Sequence, residues 1–491
     1  MSKADSNAAD AANAAIHDGL AKTSKVASKS ASSGAFDAMA KRIAVIGSGW
    51  AGCSAAVELA MRGHQVSLFE AARTLGGRAR QVVIEGKTLD NGQHILLGAY
   101  TQTLRLLAMV GVDAKQAFLR LPLQMRYPPG NDGMDFCAPR LPAPLHLLVA
   151  LLRAKGLSQA DKMALARFST TARWMGWELD TDCSVTELLE RFEQTPRLTR
   201  LMWAPLCIAA LNTPPERASA NVFMRVLRDS LGAGRAASDM LLPKSDLSSL
   251  LPQAAVQFIK QRGGSLHMGS AIRQLIPQGK GWQLDHRHIG GHNGGNPVDN
   301  EFDAVVIATG SHVAAQLLAE HGPDHLAHWQ SAAQEAITTV YLQYPATLRL
   351  PLPMYALLDH PDKAEYGQFV FDRGQLHAEQ AGLLAVVISA PDPAMNLSHE
   401  QLAISAAQQL ARTLQRPDLA EPLWHQVICE KRATFACAPG LVRPAQATSL
   451  PNLVLAGDYT AGPYPATLEG AVMSGVAAAQ VLHQSFASVK P

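Results

Sequence analysis

The chain has 491 residues, 47% of them hydrophobic and 17% charged, a balance suited to a large, well-buried enzyme and too long for a single ordinary core. Its 43 Lys and Arg against 41 Asp and Glu leave a net charge of +2, which supplies no field for nucleic acid, and no such partner is expected. The six cysteines, at 53, 137, 183, 207, 429 and 437, form no C-x-x-C pair and suit reduced thiols in a cytoplasmic protein.

Residues 1–40 are mostly Ala, Ser, Lys and Asp, and they are expected to form a disordered tail because they bury too little to offset chain entropy. They lack the apolar run of a secretory signal, and Asp5, Asp10 and Asp18 disfavour a transit peptide. The stretch KRIAVIGSGWAGCSAAVELAMRGHQVSLFE, residues 41–70, predicts a buried strand over 43–46, an Ala-rich helix running to Met61, and a second strand over 65–69 that ends in Glu70. Between strand and helix, Gly47, Gly49 and Gly52 stand at G-x-G-x-x-G spacing. Gly47 permits the tight turn, Gly49 lets the backbone approach a pyrophosphate, and Gly52 lets helix pack close on strand. The start of the helix, around Ala51, presents free N–H groups to the phosphates, and Glu70 can accept from ribose hydroxyls. A complete βαβ unit of this kind binds a dinucleotide.

Arg73-x-x-Gly76-Gly77-Arg78 follows directly. The Gly pair allows close backbone approach, and Arg78 can reach the pyrophosphate as a charged donor. Strands are expected over 81–84 and around 87–89, then the phrase LDNGQHILLGAY, residues 89–100, which contains Gly92, Gln93 and His94. From 101 to 235 the pattern is mostly helical. Its greasiest part, 141–152, is broken by Pro142, Pro144 and His146 and flanked by Arg140, Arg153 and Lys155. We read it as a buried helix of a second domain, the alternative being a helix that lies on a membrane surface. Another helix is expected over 243–264, a short strand over 265–268, and a strand, long turn and strand ending at 304–308. Strand patterns recur in 338–390, and an amphipathic helix covers 400–415. The chain closes with a strand, a loop and a small-residue helix. That last stretch holds Ala456-Gly457-Asp458 and a helix start over 466–469 that includes Thr467 and Leu468. Rossmann-type pieces at the start, middle and end imply an α/β fold. A discontinuous dinucleotide domain (41–100, 245–312 and 445–487) would carry an inserted mixed sheet-plus-helix substrate domain (101–244 and 313–444).

Three features favour FAD over NAD. Arg78 and its Gly pair sit where NAD enzymes need none. Asp458, at the end of a buried strand, can accept from ribityl hydroxyls, and the helix after it offers N–H groups to the pyrimidine edge of a flavin. No second G-x-G-x-x-G follows a strand elsewhere. This set resembles the flavin-containing amine oxidase and phytoene desaturase superfamily. LDNGQHILLGAY, VLRDSLGAGRAASDMLLPKSDLSSLLP (226–252) and AGDYTAGPYPATLEGAVMSG (456–475) are similar to one branch, the hydroxysqualene dehydroxylases, also called squalene-associated FAD-dependent desaturases. The resemblance covers roughly residues 41–485. It implies that a long apolar C30 isoprenoid loses its hydroxyl and gains hydride from reduced flavin N5, in squalene and hopanoid biosynthesis. Such a site needs a general acid and a dry apolar channel.

The candidate acids are His94, Asp90, Asp239, Tyr459 and Tyr464. His94 and Tyr459 are singled out, although His94 is also suited to holding the flavin or backbone and Asp90 to capping a turn. Arg228 and Arg235 suit structural ion pairs. His286-x-His288-x-x-x-His292 reads as a Gly/Asn-rich loop, and no metal is expected. Cys429 and Cys437 read as packed small residues. A carotenoid-type desaturase, an amine oxidase and a non-catalytic isoprenoid carrier remain the alternatives. Phe435 is the lone aromatic of ATFACAPG (433–440), where an amine oxidase would present a pair.

Overall fold

The computed structural model describes residues 40–130, 132–288, 300–322, 329, 332–390 and 394–488. The expected tail, apart from Ala40, and His292 of the histidine triplet lie outside the described residues.

Five short apolar runs form one parallel sheet in the order Ser265–Met268, Gln65–Glu70, Arg42–Ile46, Ala304–Ile307, Leu453–Leu455. The central strands are apolar on both faces because both are covered: Ile43 and Val45 share a core with the helices Trp50–Met61 and Pro252–Lys260, and Ala44 and Ile46 share one with Ile272, Leu275, Leu284 and Phe302 of a three-stranded antiparallel sheet. The chain leaves Arg42–Ile46 toward one neighbour and returns later on the other side, so the carboxyl end of that strand opens a crevice at a topological switch point. Helix α1 (Trp50–Met61) packs there.

A second, antiparallel sheet runs in the order Met354–Ala356, Phe369–Asp372, Leu383–Ser389, Gln334–Gln343, Trp424–Phe435. Its period-2 alternation separates two tasks. Val340 and Leu342 face a core shared with Leu402, Ala406 and Leu410 of the helix His399–Thr413. Thr339 and Tyr341, between them, reach the 89–100 phrase: Tyr341 Oη donates to Asp90 O over 2.9 Å.

Three expectations need adjustment. Residues 101–235 are mostly helical, as expected, but they also hold the strands Phe118–Leu121, Gln124–Arg126 and Asp135–Cys137. Phe118–Leu121 pairs with Met240–Pro243, over a hundred residues away, and local periodicity carries no sign of such a partner. The single helix expected over 243–264 is instead the end of that strand, then Leu247–Leu250 and Pro252–Lys260. Pro252 stands at the first turn of the second helix, where its missing N–H costs nothing. The third correction concerns 141–152. The helix α2 (Leu145–Arg153) buries only His146 and Ala150 fully, and leaves Leu145, Leu148 and Leu152 exposed. A segment apolar on all sides does not say which side is covered. Among the described residues, no helix is long and apolar enough to cross a membrane.

Candidate functional site

The glycines of the first turn divide by what surrounds them. Gly47 has φ +105°, and a Cβ there would lie 2.7 Å from Ala308 O. A Cβ on Gly52 would run into Gly47 O itself. At Gly49 the nearest atom to a Cβ would be Gly77 Cα, 4.0 Å away. Gly47 and Gly52 therefore serve the packing of strand, turn and helix, whereas Gly49 borders open space. No side chain caps α1, so the N–H groups of Ala51 and Gly52 have no helical acceptor and face that space with the positive end of the helix dipole. A pyrophosphate fits this cradle. Glu70 closes it from the side: its Oε2 accepts from Ser48 N (2.8 Å) and Ser48 Oγ (2.6 Å), and its Oε1 from Ala72 N (2.8 Å).

The second Gly pair lies directly on this turn. Gly76 N donates to Ser48 O over 3.1 Å, and Gly77, at φ +62°, could carry a Cβ only 3.1 Å from Gly49 Cα. Arg78 then turns toward the end of the chain, where Nη2 donates to Asp458 Oδ1 and Nη1 to Ala433 O, each over 2.6 Å. The two groups expected to serve pyrophosphate and ribityl separately are thus paired with each other. Asp458 holds the Arg78 guanidinium above its ordinary range. Arg73 is exposed.

At the other end, Thr467 caps the helix α3 (Leu468–Ser488) by accepting from Gly470 N over 3.0 Å, and Leu468 is its first residue. Helix α3 packs on α1 through small residues: Ser54 Oγ donates to Val472 O over 2.9 Å, and a side chain at Gly475 would collide with Ala51 O. Gly457 is held in the same way, for a Cβ there would strike the Tyr459 ring. Glu469 was not anticipated. Its buried carboxylate accepts from Gln102 N (2.9 Å), Thr103 N (2.8 Å) and Thr103 Oγ1 (2.7 Å), and so caps the helix Thr101–Met109 that follows the 89–100 phrase. Burial pushes this carboxyl up.

The phrase itself is anchored by Arg373, another residue without a motif. The residue is 1% exposed; Nη2 meets Asp90 Oδ2 at 3.1 Å, Nη1 donates to Gln93 Oε1 at 2.7 Å, and Nε to Gln380 Oε1 at 2.8 Å. Asp90 Oδ1 accepts from Leu247 N over 2.9 Å, and burial outweighs the arginine in raising its pKa. Gly92 lies against Thr339, and Gln93 N donates to Thr339 Oγ1 at 3.4 Å. His94 Nδ1 is 2.8 Å from Gly92 O, an acceptor only, so Nδ1 carries the proton and Nε2 the lone pair. Burial lowers the His94 pKa.

The other acid candidates differ sharply in surroundings. Asp239 is gripped by Arg120 (2.7 Å) and Arg235 (3.1 Å), and Arg228 pairs with Asp229 (2.8 Å). Tyr464 lies edge-on to Tyr100. Tyr459 joins a buried aromatic cluster, with ring centroids 6.3 Å from Trp329, itself 5.5 Å from Phe435. Tyr459 Oη and Trp329 Nε1 are both buried and have no hydrogen-bond partner among the described residues. Burial pushes the Tyr459 phenol up. Trp329 lies in no recognisable phrase, and nothing in the sequence marks it. His286 sits on the strand Gly281–His288 rather than in a loop, its Nε2 3.2 Å from Asn300 Oδ1. All six cysteines are free thiols.

Comparison with known proteins shows the family and the fold. Residues 50–483 match the family of flavin containing amine oxidoreductases. A hydroxysqualene dehydroxylase of Rhodopseudomonas palustris is 31% identical over 461 residues, covering 90% of this chain and 99% of the relative. A zeta-carotene desaturase of Synechocystis is 25% identical over 478 residues, covering 90% and 97%. Among solved structures, cyclohexylamine oxidase from Brevibacterium oxydans superposes with a TM-score of 0.63 at 18% identity, covering 91% of this chain and 99% of that one. A putative protoporphyrinogen oxidase from Exiguobacterium gives 0.63 at 17%, covering 90% and 99%.

Proposed function

The chain belongs to the family of flavin containing amine oxidoreductases and is an FAD-dependent enzyme; from that premise we propose that it removes the hydroxyl of hydroxysqualene reductively, giving squalene. The observation that carries this reading is the pair of orphaned donors, Tyr459 Oη and Trp329 Nε1, in one apolar cluster. A buried donor without an acceptor costs free energy until something accepts from it. An allylic alcohol brings an oxygen that can accept from such a donor. A carotene has none and would leave it unsatisfied, which weighs against the desaturase reading suggested by the 25% identical relative.

Reduced FAD, when bound, supplies the hydride. The backbone of Gly49, Ala51, Gly52 and Gly77 would hold the pyrophosphate, while Gly47 and Gly76, whose N–H groups donate to Phe69 O and Ser48 O, shape the turns around it. Glu70, Arg78 and Asp458 would serve the ribose and ribityl side, and Gly92, Gln93, Thr467 and Leu468 the flavin ring. Tyr459 donates to the substrate oxygen, which leaves with a proton as water. The carbon that loses the C–O bond gains a C–H bond, so alcohol is reduced as flavin is oxidised. Its raised pKa keeps the phenol protonated throughout the physiological range. His94, neutral and with its only proton committed to Gly92 O, positions the loop rather than giving up a proton.

The test is anaerobic incubation of the reduced holoenzyme with hydroxysqualene. Squalene formed in step with flavin reoxidation supports the reading. Desaturation of phytoene by the oxidised enzyme, or oxygen uptake with an amine, overturns it.

A further inference from the structure

We propose that α2 and the helix that follows it, Gln159–Trp174, form a docking surface for an anionic lipid bilayer. The surface does not depend on the substrate assignment. Leu145, Leu148 and Leu152, spaced three and four apart, share one stripe of α2 and are 49%, 50% and 64% exposed. Leu141, just before the helix, is exposed as well. The opposite side is the packed one: Ala150 and His146 are buried, with His146 Nε2 3.5 Å from Ser238 Oγ. A surface helix normally turns polar residues to solvent, and this one turns leucines.

The charge around the stripe names the occupant. Between residues 136 and 177 the chain carries six basic side chains, Arg140, Arg153, Lys155, Lys162, Arg167 and Arg173, and a single acid, Asp161. That acid is buried and consumed locally, accepting from Ser158 N and Oγ and from Thr195 Oγ1. Lys162 Nζ donates to Leu152 O over 2.9 Å, tying the second helix to the end of the leucine stripe. Met163 follows at 61% exposure, and Trp174 ends the same helix at 87%. Arg167 pairs with Glu193 at 3.4 Å, which leaves Arg140, Arg153, Lys155, Lys162 and Arg173 as the basic rim. Leucines for the acyl region, an aromatic ring for the interface and a net basic rim match the composition of helices that lie in an anionic bilayer surface. A second copy of the chain is a poorer occupant, because a two-fold contact would set the basic rim against itself.

Flotation of the FAD-loaded full chain with vesicles tests this. With phosphatidylcholine plus phosphatidylglycerol the protein should float, and binding should fall at least tenfold on phosphatidylcholine alone or at high salt. The double variant Leu148→Glu, Leu152→Glu should lose binding at least tenfold while keeping the flavin absorbance and melting temperature of the parent. Arg153→Glu with Lys155→Glu, which leaves the leucines in place, should lose the salt-sensitive part. Vesicle binding unchanged in both variants, no flotation of the parent, or a dimer that the leucine variant splits would each overturn the proposal.

Discussion

Arg78 Nη2 and Asp458 Oδ1 lie 2.6 Å apart although 380 residues separate them in the chain. The contact joins the Gly pair beside the first dinucleotide turn to the strand end that precedes the C-terminal helix. It makes two cofactor motifs into one wall. Arg78 is 40% exposed, so its pair is partly screened. Arg78→Ala should cost about 1–2 kcal/mol in chemical denaturation and lower the flavin content of purified protein. Arg78→Lys keeps the charge but not both acceptors, and should recover only part of either. Full flavin content in the Ala variant would show the wall to be dispensable.

Gly49 and Gly52 should fail in different ways. Gly52→Ala pushes a Cβ into the immobile Gly47 carbonyl and should destabilise the fold by at least about 2–3 kcal/mol. Gly49→Ala meets nothing in the protein, so the melting temperature of the flavin-free form should hold. Its affinity for FAD should drop at least tenfold, read as absorbance near 450 nm on titration. Equal flavin affinity in the Gly49 variant would mean that the phosphates bind elsewhere.

Arg373 is the test of a buried pair. Arg373→Met strands the Asp90 carboxylate in the interior and should cost about 3–5 kcal/mol. Adding Asp90→Asn removes that charge, and the double variant should be more stable than the single one by urea unfolding. No recovery would show that Arg373 matters through Gln93 and Gln380 alone.

Tyr459→Phe deletes one oxygen from a buried aromatic cluster. Flavin content and stability should hold, while single-turnover flavin reoxidation by hydroxysqualene falls roughly 10²-fold, in the range of a lost proton donor. His94→Asn should have the smaller effect. The reverse order would transfer the proton to His94.

Histidines held uncharged predict acid lability. Burial, with the like charge of His483, lowers His64 to about 4, and burial with Arg373 lowers His377 to about 4. Between about 4 and the unfolded value near 6.5, the unfolded chain binds more protons than the folded one, so stability rises with pH across that window and levels off above it. Asp90 and Glu469, raised by burial, pull the other way, so the histidine share must be isolated. His377→Asn should flatten the slope of urea midpoint against pH between 4.5 and 6.5. An unchanged slope would remove His377 from the account.

The chain spells out the dinucleotide cradle, because Gly47, Gly49, Gly52, Gly76 and Gly77 act through backbone conformation, and a turn is settled by the residues within it. It also determined the branch of the family, through contiguous phrases. It did not determine who holds those phrases. Arg373, Glu469 and Trp329 reach the site from the second sheet, the last helix and an unmarked segment, and a single buried Arg, Glu or Trp carries no local pattern. Nor did it settle which side of α2 faces solvent, since an all-apolar helix has no periodicity to read. Those matters were decided only by tertiary structure: which carboxylate is capped, which donor is left unpaired and which leucines stay wet depend on neighbours brought in from hundreds of residues away.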